Sequence, residues 1–340
     1  MKERESNMEL LRIASMLMVL MVHFDAASVG FPSDVSLAAM DARDWWRLVT
    51  ESAVIIGVNC FTLISGYFGI RLRVRSTAGF WFECVAYSVA IASMACLLKP
   101  EKFDLVYWAD SWLVLSHPKL WYVPAYFMLM LVSPLVNRGM AALTVRQNII
   151  LTSIFVVWNI WGGWVWWASF NPTGYTPIQL IMVYMIGRCI RLSPRVSESG
   201  KWIWAVVYFL ATALVLFSAI FVDCTRGFAY NSPFVLLQSV AFFMFFLGLR
   251  LRSRLVNFLA RSAFAVYLVH MSPALWGGAL KPFMVSCWRS MELWQYALLV
   301  PFMAVVIYLA VVPLDMVRRR VWSLMEQWLP DKEFGKQSLK

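Results

Sequence analysis

The chain returns repeatedly to apolar runs long enough to cross a lipid bilayer, and no other feature limits its folding as much. The first run is LLRIASMLMVLMVHF, residues 10–24. Crossing the hydrocarbon takes about 20 such residues as helix, because backbone N–H and C=O groups find no water there and must pair within the segment. Ten runs are read, near residues 7–24, 48–70, 78–98, 119–137, 147–164, 174–190, 202–222, 232–249, 258–277 and 293–316. They predict an all-α integral membrane protein of about ten transmembrane helices. Only 14% of residues are charged, against about a quarter in soluble domains. The first run is expected to be retained, since Arg12 interrupts it and no small-residue cleavage site follows.

A net charge of +11 would fit a nucleic-acid binder only if the cations formed a basic domain. They sit instead in short loops between apolar runs, so no nucleic-acid partner is expected. With the N-terminus in the cytoplasm, 21 Lys and Arg fall in inner segments and eight in outer loops, Arg12 lying within the first run. That bias predicts both termini in the cytoplasm and a multi-pass protein of the cell (inner or plasma) membrane, in contact with its lipids. No linker or repeat divides the chain, so a single membrane domain is expected over 1–340, with a basic tail from about residue 318. The outer loops 25–47 and 99–118 are the longer ones and give an outward-facing site material to work with.

The six cysteines include no C-x-x-C pair and read as small buried hydrophobes; no metal site is expected. The chain has no phosphate-loop signature of an ATP-driven pump and no G-x-S-x-G elbow.

The three histidines, His23, His117 and His270, all fall on the predicted outer side. Histidine is the side chain best suited to take a proton near neutral pH. Arg12 and His23 are eleven residues apart, which returns them to within about 20° of one helix face, roughly 16 Å apart along the axis. One stripe of the first helix thus carries a cation near the cytoplasm and a base near the outside. The plainer alternative is that Arg12 reaches the inner headgroups and His23 ends the helix. Glu51, Asn59 and Glu83 are further polar intrusions into apolar runs, and such groups face a cavity or a partner. Glu51 is predicted at the level of His23, placed to orient its imidazole. Glu83 is predicted near the inner face, either functional or simply ion-paired with arginine.

CFTLISGYFGIRLRVRS, residues 60–76, brings Ser65 and Gly66 beside Arg71, Arg73 and Arg75. Clustered guanidinium groups bind phosphates by bidentate hydrogen bonds, but inner-loop arginines are also what topology and anionic lipid require. WNIWGGWVWW, residues 158–167, offers aromatic faces for sugars, or an interfacial tryptophan belt.

These residues resemble a known family. RIASMLMVLMVH is similar to the R-x10-H first-helix motif of the acyltransferase 3 family of integral-membrane acyltransferases. GVNCFTLISGYF, residues 57–68, resembles its second-span pattern. LWYVPAYFMLMLVSPLV resembles its L-W-[FY] segment, and ARSAFAVYLVHMSP its late S-F-x-x-Y-L-x-H-x-P segment. Ala263 stands where the family carries serine before the tyrosine, with Ser262 one place off. The resemblance implies transfer of an acyl group, acetyl above all, from cytoplasmic acyl-CoA (acetyl-CoA) to a hydroxyl of a cell-surface glycan or lipid-linked sugar, without a metal. It implies catalytic roles for Arg12 and His23, and Glu51 joins them as a candidate from its predicted level alone. It implies a structural or donor-binding role for Ser65, Gly66, Arg71, Arg73 and Arg75, and Glu83, Asn59, Trp121, Tyr267 and His270 are further candidates. Ser65 and Gly66 are expected to leave room for the pantetheine arm. No further domain is expected after the tenth span, so the membrane domain would do the acceptor chemistry. A transporter or flippase for a glycan or its lipid carrier is the alternative; it need not bind acyl-CoA.

Overall fold

The computed structural model describes residues 5–332 apart from 33–34, 100, 103, 117–119, 169 and 194–199. His117 lies outside the described residues. Every predicted run is occupied by helix: α1 (Ser6–Phe24), α2 (Ala42–Val54), α3 (Gly57–Phe68), α4 (Val74–Leu98), α5 (Tyr122–Ala142), α6 (Val145–Asn159), α7 (Pro177–Leu192), α8 (Lys201–Phe221), α9 (Pro233–Leu247), α10 (Arg254–His270), α11 (Pro273–Ser290) and α12 (Leu293–Met325). Among the described residues no β-strand forms. Among the described residues seven helical segments are long and apolar enough to cross a membrane, or eight if the pair α10–α11 counts as one. The expectation of ten was too generous by this measure. α7 and α9 have only 16 and 15 residues, and α10 turns by 63° into α11. α2 and α3 together make one 27-residue segment with a two-residue break at Ile55–Ile56.

Local chemistry starts and stops these helices. Asp41 accepts from the backbone N–H of Arg43 and Asp44 at 2.8 and 2.9 Å, while the Asp44 carboxylate accepts from the Asp41 N–H, a reciprocal cap on α2. Thr144 and Gln147 do the same for α6. Thr176 caps α7, and Pro177 supplies its pre-set φ at the first helical position.

Cross-contacts fix the relative directions of several helices. α1 begins where α9 ends, with the Asn7 amide donating to the Phe246 carbonyl at 3.1 Å. At the other end of α1, Tyr296 at the start of α12 donates to the Phe24 carbonyl at 2.9 Å. α10 runs parallel to α1, since Ser253 N–H donates to Ser6 at 3.0 Å while His270 meets His23. α3 and α5 end together, where Asn137 donates to the Ile70 carbonyl at 2.9 Å. The chain past α12 returns to the start of α4: Val74 N–H donates to the Lys332 carbonyl at 3.1 Å.

Small residues set the closest helix approaches. A Cβ at Gly66 would overlap the Tyr184 carbonyl oxygen, and one at Gly187 would lie 2.5 Å from the Leu63 carbonyl oxygen. Gly66 therefore exists for the α3–α7 contact. The sequence expectation that it leaves room for a pantetheine arm is corrected: it faces a neighbouring backbone. With lipid outside as apolar as the interior, such close backbone packing is what holds helices together.

A buried charge cluster ties α4, α10 and α12. Asp315, with no exposed surface, accepts from Arg318 Nε at 2.8 Å, Tyr87 at 3.1 Å and Ser262 at 2.9 Å, and pairs with Arg319 at 3.0 Å. Glu83 joins it through Arg318 at 3.4 Å, so the ion-paired alternative holds for this residue.

Candidate active site

A cavity of about 340 Å³ runs along α1 and is lined by both Arg12 and His23. The two ends of the predicted stripe therefore open into one space. Between them the wall is apolar, with Met16 and Val19 from α1, Val58 and Phe61 from α3, Phe80 from α4 and Phe264 from α10.

At one end stand Arg12 and Arg261. Arg12 is partly exposed and lies 3.7 Å from Glu9, a loose i,i+3 pair. Arg261 is exposed, which places the mouth of the cavity there. Ser65 lines this end, donates to the Phe61 carbonyl at 3.0 Å and shares a hydrogen bond with the Tyr126 hydroxyl at 3.1 Å. Tyr122 stacks on Tyr126 at 5.5 Å and meets Tyr267 edge-on at 5.8 Å, so one aromatic layer lines the middle.

At the other end His23 Nδ1 lies 2.9 Å from His270 Nε2, and His270 Nδ1 lies 2.6 Å from the Val266 carbonyl oxygen. These contacts determine the tautomers. A carbonyl only accepts, so His270 Nδ1 carries a hydrogen, and in the neutral ring its Nε2 is an acceptor. His23 Nδ1–H must then be the donor, which leaves the lone pair of His23 on Nε2. His270 is wholly buried, held by its own helix turn. Trp276 meets the His23 ring edge-on at 5.7 Å. His23 is thus an oriented base on the wall of a cavity, with its second nitrogen tied down by a neutral partner.

Beyond His23 the cavity wall is Trp121, Tyr175 and Tyr230. Asn59 stands behind this wall: its amide donates to the Tyr230 carbonyl at 3.0 Å and its oxygen accepts from Gln179 at 3.4 Å.

Several sequence expectations are relocated. Glu51 is buried, in electrostatic contact with Asp25 and off the described cavity wall; the group that orients His23 is His270. Arg71, Arg73 and Arg75 are also off the described wall. Arg71 is exposed, Arg73 lies 3.9 Å from Asp331, and Arg75 donates to the Leu329 carbonyl at 2.8 Å, so Arg73 and Arg75 clasp the chain after α12. Arg12, His23, Ser65, Trp121 and Tyr267 do line the cavity, and His270 supports it. Arg261, Tyr122, Tyr126, Tyr175 and Tyr230 were not foreseen. Arg261 read as one more inner-loop cation, and the tyrosines carry no spacing that sets them apart from an interfacial belt.

Among the described residues no cluster of metal-ligating side chains forms. No curated protein and no solved structure matches the chain. A family model described as an acyltransferase domain matches residues 5–312, which is most of the chain and includes every cavity residue named above. The chain belongs to the acyltransferase 3 family of membrane acyltransferases.

Proposed function

We propose that the protein moves an acyl group, acetyl in the simplest case, from cytoplasmic acyl-CoA to a hydroxyl of an extracytoplasmic glycan or lipid-linked sugar. The observation that carries this reading is the single cavity with two cations at one end and an oriented, proton-accepting imidazole at the other. The excess of Lys and Arg in the loops at the Arg12 end supports a protein of the inner or plasma membrane with both termini in the cytoplasm. The Arg12 end then meets cytoplasmic donor and the His23 end meets the acceptor.

In this reading Arg12 and Arg261 hold the phosphates of CoA, a task guanidinium forks suit and one reassigned here from Arg71, Arg73 and Arg75. The pantetheine arm lies along the apolar middle and presents the thioester near His23. His23 Nε2 takes the proton from the acceptor hydroxyl as its oxygen attacks the thioester carbonyl. The new C–O bond forms, the C–S bond breaks, and the proton passes from His23 to the leaving sulfur, giving an ester and free CoA thiol. Neither a metal nor a net proton change is needed.

The direct test is release of CoA thiol from acetyl-CoA by the protein purified into lipid, with extracted envelope glycan as acceptor. Acceptor-dependent release supports the reading. No release across several acyl-CoAs and glycans would favour a transporter of the glycan or its lipid carrier. The donor assignment makes its own prediction. Arg261→Ala raises the KM for acetyl-CoA by about ten- to a hundredfold, as loss of a charge-assisted hydrogen bond should. Arg71→Ala leaves that KM nearly unchanged. Steady-state kinetics at saturating acceptor checks both, and the opposite ranking would return the phosphates to the loop cluster.

A further inference from the structure

We infer that Trp121, Tyr175 and Tyr230 form the acceptor subsite, a stacking wall for the ring of a neutral sugar whose hydroxyl is delivered to His23. This inference rests on the acyl-transfer reading above. The three rings touch one another and make one continuous aromatic surface. Trp121 lies 4.7 Å from Tyr175 and stacks on Tyr230 at 5.9 Å and 29°, and Tyr175 lies 4.8 Å from Tyr230. The surface leads inward. Tyr175 is 47% exposed, Trp121 half-buried and Tyr230 only 6% exposed.

The wall comes from three separate places in the chain, just before the first residues of α5, α7 and α9. These are the ends that meet the His23 end of α1. Its backing is unusual for an apolar protein. Asn59, Asn159, Asn171, Gln179 and Asn231 all have no exposed surface, and their amides form a connected network. Asn171 donates to the Asn159 oxygen at 2.7 Å and Asn159 to Gln179 at 3.1 Å. Gln179 and Asn59 both donate to the Tyr230 carbonyl, at 2.8 and 3.0 Å. Tyr230 N–H in turn donates to the Thr173 carbonyl at 2.9 Å. Gly174, between Thr173 and Tyr175, has φ +84°, a conformation that favours glycine, and a Cβ there would lie 2.7 Å from Tyr230 Cβ. Burying so many amides is costly unless each is paired, and a hydrocarbon-filled core would hold the helices without them. What the network does is lock two loops so that their tyrosines stand at a fixed angle to Trp121.

The chemistry of the wall selects its ligand. It carries no charge, so it does not prefer an ionic acceptor. Its flat faces suit the C–H face of a pyranose, whose hydroxyls then point around the edge, one of them toward the imidazole. The donor's adenine is also flat, but the cations that would hold its phosphates are at the opposite end of the cavity. The pantetheine arm is already served by the apolar middle. A cyclic sugar is therefore preferred over a linear polyol with as many hydroxyls.

The test uses the full chain in lipid nanodiscs, acetyl-CoA, and extracted envelope glycan, with methyl glucoside, methyl galactoside and sorbitol as competitors. Tyr175→Leu is made at the exposed position, where folding is least at stake, together with Trp121→Leu and the aromatic control Trp121→Phe. Each leucine variant should raise the glycan KM about tenfold or more, with the KM for acetyl-CoA unchanged, and Trp121→Phe should recover most of the loss. A methyl hexoside should compete with glycan while sorbitol does not. If the leucine variants bind glycan as well as the wild type, the wall is not the acceptor subsite. If they change the acetyl-CoA KM instead, it is a nucleotide platform and the inference is overturned. Binding of radiolabelled glycan is measured in parallel, so a wild type that binds glycan through this wall yet releases no thiol sinks only the acyl-transfer reading.

Discussion

His23→Ala lowers acyl transfer by about a hundred- to ten-thousandfold, the usual worth of a positioned general base, while the protein inserts and purifies normally. Nδ1 of His23 is committed to His270, so Nε2 is the only imidazole nitrogen left to take the acceptor proton. Alanine removes that nitrogen from a half-buried position without taking a partner from any buried charge. His270→Phe separates the two roles in the pair. It keeps a buried ring of similar size but takes away the acceptor that determines the His23 tautomer. Its loss should be smaller than that of His23→Ala and should fall on kcat, with the KM for acetyl-CoA unchanged. Thiol release measured for both variants, with circular dichroism to confirm folding, checks the pair. Full activity in His23→Ala would remove the imidazole from the chemistry altogether.

Asp315→Ala destabilises the protein by about 3–5 kcal/mol, the cost of removing one partner from a buried charge group. Asp315 is the hub of its cluster: two arginines, a tyrosine and a serine all direct hydrogen-bonding or charged groups at its two oxygens. Without it Arg318 keeps Glu83, at 3.4 Å, and Arg319 loses its carboxylate partner, keeping the main-chain carbonyl of residue 315 at 3.3 Å. Thermal unfolding in a fixed lipid composition measures the loss. Asp315→Leu combined with Arg318→Leu should lose less than the single alanine change, because the second substitution removes one of the stranded charges. A single variant as stable as the wild type would show that Glu83 alone suffices for both arginines.

What could be read from the residues, and what could not, divides along the helix axis. Arg12 and His23 lie on one helix, so their shared face follows from 3.6 residues per turn and needs no knowledge of neighbours. His270 is 247 positions from His23, and which helix meets which is not written in a one-dimensional period. In a membrane the difficulty is worse. Both the lipid face and the protein face of a helix are apolar, so no amphipathic stripe marks the inside. Arg261 shows the same limit. Nine residues separate it from His270, which on an ideal helix would set the two on opposite faces, but a 3-10 turn at Ala260–Ser262 intervenes and Arg261 reaches the cavity. Gly66 was legible as a place where something must come close. That the something is the Tyr184 carbonyl, and not a ligand, required the register of α3 against α7. The arginines at 71, 73 and 75 were legible as a cluster, yet two of them contact residues past α12, near the far end of the chain.

The shortness of α7 and α9 has a consequence for the path of the reaction. At 1.5 Å per residue they are about 24 and 22 Å long, against roughly 30 Å of hydrocarbon. If both cross the bilayer, the loops that precede them, bearing Tyr175 and Tyr230, would lie below the level reached by the longer helices. On the proposed reading, the acceptor would then arrive where the barrier is thinner. The acyl group, on that same reading, would not have to be carried across a full bilayer, and an extended thioester arm along the cavity would have the shorter distance to bridge.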